Sequence, residues 1–234
     1  MRRPPLVIAV TAGLAVALLT AIVVMHPFLP FDATVEKDVQ ATNWGPLAFT
    51  FPWFTWIGDA KGAVAEAVVF VLILVFNRRA WRFALAAATT GVWYVGLSRL
   101  ILRPRPTTAQ VLQVTEHPGA SSFPSGHTIF IVTLVTVLML CLGYRFLPRW
   151  ARPIGWVLAA ATVVACMIAR VDTGAHWPTD VLAAVLIAVG WLAFIVSVRP
   201  ISDGVLNPAP AGEAGRQAQP GPSRSATRRT LQGP

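Results

Sequence analysis

In this chain of 234 residues, 55% are hydrophobic and only 12% are charged, and the mean hydropathy is +0.62. A soluble domain carries about 25% charged residues, so the composition excludes an ordinary soluble fold and points to a membrane-embedded, all-α protein. The net charge of +9 does not mark a nucleic-acid partner, because most arginines stand at the ends of apolar segments, as the positive-inside rule requires.

Arg2 and Arg3 precede an apolar run from Leu6 to Met25, long enough to cross a bilayer. A signal peptide is the competing reading. The run is long for one, and its exit, His26-Pro27-Phe28-Leu29-Pro30, has no small-residue cleavage site, so a retained first span is expected. Residues 27–60 mix Asp32, Glu36, Lys37 and Asp38 with Trp44, Phe49, Phe51, Trp53, Phe54 and Trp56. Aromatic residues favour the headgroup region, and a short amphipathic helix or re-entrant piece is expected there. A second span runs from Ala60 to Phe76 and carries Glu66 near its outer end. An intramembrane acid is a functional candidate, whereas one so shallow can also snorkel to water.

Asn77 to Arg82 is a tight basic turn, and a third span, Phe83 to Leu102, leads into a polar loop over 103–126. The fourth span is Thr128 to Leu142, followed by Arg145, Arg149 and Arg152. The fifth is Pro153 to Ala169, and a short loop from Arg170 to Trp177 precedes the sixth, Pro178 to Val198. From Arg199 onward the chain is rich in Pro, Gly, Ala, Ser, Gln and Arg, with too little apolar surface to fold. Three parts result: 1–57, a first span and loop; 58–198, the core; and 199–234, a disordered basic tail. Cys141 and Cys166 both lie inside apolar runs and read as small buried hydrophobes. With both termini in the cytoplasm, 13 of the 19 Lys and Arg residues fall on that side, including every arginine of the two basic turns. One topology satisfies every turn, and it puts the polar loops outside the cytoplasm of a plasma-membrane protein.

Three stretches then share the outer side. The first is Arg99-Leu100-Ile101-Leu102-Arg103-Pro104-Arg105-Pro106. Its arginines are held extended by prolines, and guanidinium forks suit phosphate oxygens as well as lipid headgroups. The second is Pro124-Ser125-Gly126-His127. A loop entering a helix start presents unpaired N–H groups to an anion, and Ser125 adds a donor. Gly126 permits close approach, and His127 titrates near neutral pH. The third runs from Arg170 to Asp180. If a helix begins near His176, then His176 and Asp180 share a face, and a carboxylate on one ring nitrogen frees the other as a nucleophile. A structural His–Asp pair is the simpler reading. Together the three supply an anion cradle, two histidines and an orienting carboxylate, the needs of phosphoryl transfer in which one histidine attacks phosphorus and the other protonates the leaving group. No carboxylate cluster suggests a metal or other cofactor.

The order Arg-Pro, Pro-Ser-Gly-His, Arg-x5-His-x3-Asp resembles the type 2 phosphatidic acid phosphatase superfamily of membrane lipid phosphatases, over roughly residues 58–198. The resemblance implies a bundle of six transmembrane helices with outward-facing loops and a metal-free reaction on a lipid phosphate substrate. It makes His176 the nucleophile that forms a phosphohistidine, Asp180 its orienting partner and His127 the acid for the leaving oxygen. Arg105, Ser125, Gly126 and Arg170 become the phosphate ligands. Two positions depart from the pattern. Ser98 stands where the family has a lysine seven residues before the final arginine, and Ala169 stands where a serine is usual. Arg99, Arg103 and Lys61 are the candidates to replace the missing charge. The substrate is then a polyprenyl diphosphate, phosphatidylglycerol phosphate or phosphatidic acid, hydrolysed or passed to another acceptor. A non-hydrolytic lipid-phosphate binder or transporter, or an inactive relative, is the alternative; the absence of charge near the span midplanes counts against transport. The anion pocket is also similar to that of vanadium haloperoxidases, which are soluble.

Overall fold

The computed structural model describes residues 1–57, 60–116 and 119–206, apart from the side chains of Ala60 and Lys61, and every regular element among them is helical. In chain order these are α1 (Arg3–Met25), α2 (Pro30–Ala41), α3 (Phe51–Ile57), α4 (Ala60–Phe76), α5 (Trp81–Ala88), α6 (Thr90–Leu100), α7 (Gly126–Leu138), α8 (Tyr144–Phe146), α9 (Ala151–Asp172), α10 (Pro178–Ser197) and α11 (Arg199–Leu206). Four stretches, Arg3–Met25, Gly126–Phe146, Ala151–Asp172 and Pro178–Ser197, are long and apolar enough to cross a membrane. With the shorter α4 and the broken pair α5–α6, they form the bundle of a multi-pass membrane protein. Its outer shell suits lipid: Val7, Val10, Leu14 and Leu18 on α1, and Val157 and Leu158 on α9, are all exposed.

The third expected span, Phe83 to Leu102, is two helices. The Thr89 and Thr90 hydroxyls donate to the carbonyls of Ala86 and Ala87 at 2.5 and 2.6 Å, and such back-bonding bends or breaks a helix. The fourth departs from α geometry over Met139–Gly143, a π-helical turn joining α7 to α8. There the Cys141 carbonyl accepts from Asn77 Nδ2 at 2.7 Å. The fifth extends to Asp172, so Arg170 lies in the last turn of α9 and not in a loop.

Ile73, Phe83, Val132, Leu140, Leu192 and Ile195 centre the core. Helix α1 lies along α10, where Gly190 faces Ala12 closely enough that an added Cβ would sit 3.0 Å from it. At the basic end, the Arg2 N–H donates to the Ser197 carbonyl at 2.8 Å. The expectation of a disordered chain from Arg199 fails over its first turns. Ile201, Val205 and Leu206 share a helical face, and α11 packs against the core with Val205 buried. Arg2 pairs with Asp203 on it at 2.8 Å. The tail from residue 207 lies outside the described residues.

The other end is polar. Helix α2, too short and polar to span, presents Asp32, Glu36 and Gln40 at helical spacing toward the loops. The Gln40 amide oxygen accepts from the N–H groups of Leu112 and Gln113, while its nitrogen donates to the carbonyls of Gln113 and Asp172. Gly174 (φ +68°) makes the tight turn after α9, and a Cβ there would strike the Gln113 carbonyl at 2.5 Å.

Candidate active site

A cavity of about 630 Å³ opens at the polar end. Of the predicted residues, His127, His176, Arg105, Gly126 and Arg99 line it, together with Ser98, Tyr94 and Glu66. Ser125, Asp180, Arg170 and Arg103 do not. The Lys61 side chain lies outside the described residues.

His176 is 3% exposed, and its Nδ1 lies 2.7 Å from the Ser122 carbonyl. A carbonyl only accepts, so Nδ1 carries the hydrogen and Nε2 of the neutral ring keeps its lone pair. Burial, with Arg105 and Arg170 nearby, holds the imidazole well below its ordinary value, against the opposing bond to Ser122. The neutral ring, with a lone pair on Nε2, is therefore the resting state. The expected bond between Asp180 and His176 is absent. Helix α10 begins at Pro178, so His176 lies outside it and the two residues share no helical face. Asp180 is instead a capping acid. Its Oδ2 accepts the Trp177 N–H at 2.9 Å and its Oδ1 accepts Arg103 Nη1 at 2.5 Å. It shapes the turn carrying His176 without touching the ring.

Arg103 and Arg105 are two residues apart and face opposite ways. Arg103 is 2% exposed. It donates to Asp32 at 2.6 Å, Asp180, Thr179 and the Pro27 carbonyl, which leaves it no role as a replacement for the missing lysine. Asp32 also accepts the N–H and hydroxyl of Thr179 at 3.0 and 2.7 Å. Glu36 is buried beside this cluster, with no hydrogen bond to either carboxyl oxygen among the described residues. Burial, with the charges of Asp32 and Asp180, pushes its carboxyl up to about 9 despite Arg103. Arg105 faces the cavity and is held by the carbonyls of Gly119, Ser121 and Ala175. Three of its five N–H groups are thus engaged, and two remain to bind an anion.

Arg170 is fully buried and is paired with Glu116 at 2.6 Å and with the Thr55 hydroxyl at 3.0 Å. Its Nε has no partner among the described residues. Burial pushes the Glu116 carboxyl up, but the bonds from Arg170 and Thr55 outweigh this and hold it below its ordinary value. Ser125 is buried, and its hydroxyl oxygen accepts from the N–H and hydroxyl of Thr128. Its side chain serves as the α7 N-cap. Gly126 is walled by Tyr94, whose ring lies 3.0 Å from where a Cβ would stand. Ser98, which stands where the family's lysine is missing, and Arg99 both line the cavity.

Asp32, Glu36, Glu116, Thr55 and Ser122 were not among the predicted site residues. The polar stripe Asp32–Glu36–Gln40 was a readable signal, since three polar residues four apart on a short helix mark one polar face. Glu116 and Ser122 carried no signal, because only the folded loop brings them to their partners.

Comparison with known proteins adds relatives to this geometry. A family model described as the PAP2 superfamily matches residues 79–202. An undecaprenyl-diphosphatase of Sulfolobus acidocaldarius is 32% identical over 103 residues, 44% of this chain and 45% of that protein. The chain thus spans about half the length of this curated relative. The crystal structure of a transmembrane PAP2 type phosphatidylglycerolphosphate phosphatase from Bacillus subtilis superposes with a TM-score of 0.63. That match covers 81% of this chain and 93% of the other, at 21% identity, and shows a shared fold.

Proposed function

The chain belongs to the PAP2 superfamily, and on that premise we propose that it is a metal-independent lipid phosphatase that hydrolyses a phosphate or diphosphate ester through a phosphohistidine. The observation that carries this reading is the His176 ring, locked by the Ser122 carbonyl with Nε2 as its lone-pair nitrogen, in one cavity with His127 and Arg105.

In this mechanism Nε2 of His176 attacks phosphorus in line, and the P–O bond to the lipid breaks. The departing oxygen takes a proton from the His127 imidazolium. Neutral His127 then takes a proton from water as that water attacks the phosphohistidine. The P–N bond breaks, inorganic phosphate leaves, and both histidines return to their starting states. Arg105 and the N–H groups at the start of α7 offset charge on the phosphoryl oxygens, whereas Arg170, ion-paired with Glu116 outside the cavity lining, is given no phosphate contact. Asp180 acts through the turn that holds His176. The arginine distribution, 13 of 19 basic residues on one side, supports a plasma-membrane orientation with both termini cytoplasmic and the cavity extracytoplasmic.

Phosphate release by purified protein in detergent, with EDTA present, tests the reading. The panel is polyprenyl diphosphate, phosphatidylglycerol phosphate and phosphatidic acid. Release that survives EDTA and falls by at least about a thousandfold in His176→Ala, a typical loss for a nucleophile, is the expected result. No release from any lipid by folded protein sinks it in favour of a binding or inactive relative.

A further inference from the structure

The room that Gly126 leaves by having no side chain is taken up by Tyr94. A Cβ on Gly126 would lie 3.0, 3.1 and 3.2 Å from Cε2, Cζ and Cδ2 of that ring. The phenol edge, including the carbon that bears the hydroxyl, is therefore seated against the first residue of α7. As that first residue, Gly126 has an N–H with no partner within the helix. Tyr94 also lines the phosphate cavity together with Arg105, His127 and His176. Burial pulls the Arg105 guanidinium below its ordinary value, and Asp180 and then Tyr94 oppose this, so the phenol stands within electrostatic reach of the guanidinium. Tyr94 thus touches one of the two elements that the mechanism gives to the phosphoryl oxygens and lies in the field of the other. Ser98, one turn further along α6, donates its hydroxyl to the Val95 carbonyl at 3.4 Å. The Tyr94 hydroxyl makes no hydrogen bond among the described residues, which leaves its proton available to the cavity.

We propose that the Tyr94 hydroxyl is a phosphate-binding group of this cavity, donating to a non-bridging oxygen of the phosphoryl group beside Arg105 and the N–H groups of α7. This role rests on the phosphatase reading above. A phenol has one proton to give, and a hydrogen bond to a charged oxygen is stronger than one between neutral groups. A tyrosine ring also loses little freedom on binding, since it turns about only two bonds, and here the glycine notch holds it in place. The bond reads the phosphoryl group and not the lipid, so its loss falls alike on a monoester and a diphosphate. Gly126 then has two tasks: its N–H faces the anion, and its missing side chain seats the ring that supplies a further donor.

Y94F removes the oxygen and keeps the ring on Gly126. The experiment compares it with wild type in mixed micelles by three measurements. These are the melting temperature, kcat/KM for dioleoyl phosphatidic acid and undecaprenyl diphosphate, and the rise in melting temperature produced by inorganic phosphate. Without phosphate, Y94F should melt with wild type. It should lose at least about tenfold in kcat/KM on both lipids, the size of one hydrogen bond to a charged group. It should also need about tenfold more inorganic phosphate for the same rise. Wild-type kcat/KM with a wild-type phosphate response overturns the role while leaving the phosphatase intact. So does a loss confined to one lipid, or a Y94F that melts well below wild type, since the hydroxyl would then read the lipid or hold the fold. Release from neither lipid by folded wild type removes the phosphatase reading, and an undiminished phosphate response in Y94F then overturns the binding role separately.

Discussion

The two walls of the cavity are built differently. On the wall formed by the 103–125 loop and the α9–α10 turn, each cavity-lining reactive group is held by backbone. His176 is held by the Ser122 carbonyl and Arg105 by three carbonyls, and a buried ion cluster of Arg103, Asp32 and Asp180 lies behind them. On the wall formed by α4 and α6, together with Thr133 of α7, Glu66, Arg99 and Thr133 Oγ1 have no hydrogen-bond partner among the described residues. On the proposed phosphatase reading, the difference separates two tasks. A phosphoryl group is the same in every substrate and rewards rigid preorganisation. The rest of the lipid varies, and side chains left unpaired are the ones available to read it.

The largest way to break this comparison is Arg103→Ala. It leaves the buried Asp32 and Asp180 carboxylates without their cation, a loss of about 3–5 kcal/mol for a broken buried pair. Unfolding in micelles should occur at clearly lower temperature, and phosphate release should be lost although Arg103 does not line the cavity. A stable, active variant would show that the cluster does not hold the catalytic turn. Glu36→Gln sharpens the same wall by pH. The folded-state value near 9 lies above the ordinary 4.5, so the protonated acid's contribution is fully present below about 4.5 and lost as pH rises through 9. Wild-type melting temperature should therefore decline from pH 5 to 9, and the glutamine variant should flatten that decline. Identical slopes would mean that Glu36 is not held protonated. The smallest effect belongs to the opposite wall. Ser98→Lys adds one cation at the mouth, and a single charge-assisted bond of about 1.5 kcal/mol should raise kcat/KM by no more than about tenfold. No change would show that Arg99 already fills that place.

Most of the bundle was legible because a span needs only length and apolarity. The breaks were legible only afterwards: Thr89–Thr90 read as ordinary span residues until their hydroxyls were seen on the preceding carbonyls. The cavity histidines and Arg105 were legible from motif spacing. The partner of His176 was not, since spacing pointed to Asp180 and the fold supplied Ser122, 54 residues away. Arg103 and Arg105 looked equivalent in an Arg-Pro-Arg-Pro run, yet alternate residues of one extended stretch met an acid cluster and a cavity.

The sequence by itself determined that the chain is a helical membrane protein, where its basic turns fall, and that His127, His176 and Arg105 come to one place. Hydropathy and local spacing are properties of neighbouring residues, and a linear reading captures them. Only the tertiary structure decided which donor meets which acceptor. It made Asp180 a cap, closed Glu116 over Arg170, drew α2 into the support of the site, folded α11 back on the core and left Thr133 Oγ1 without a hydrogen-bond partner among the described residues. Those outcomes depend on which buried polar groups find partners across distant segments, and burial makes that competition costly to lose.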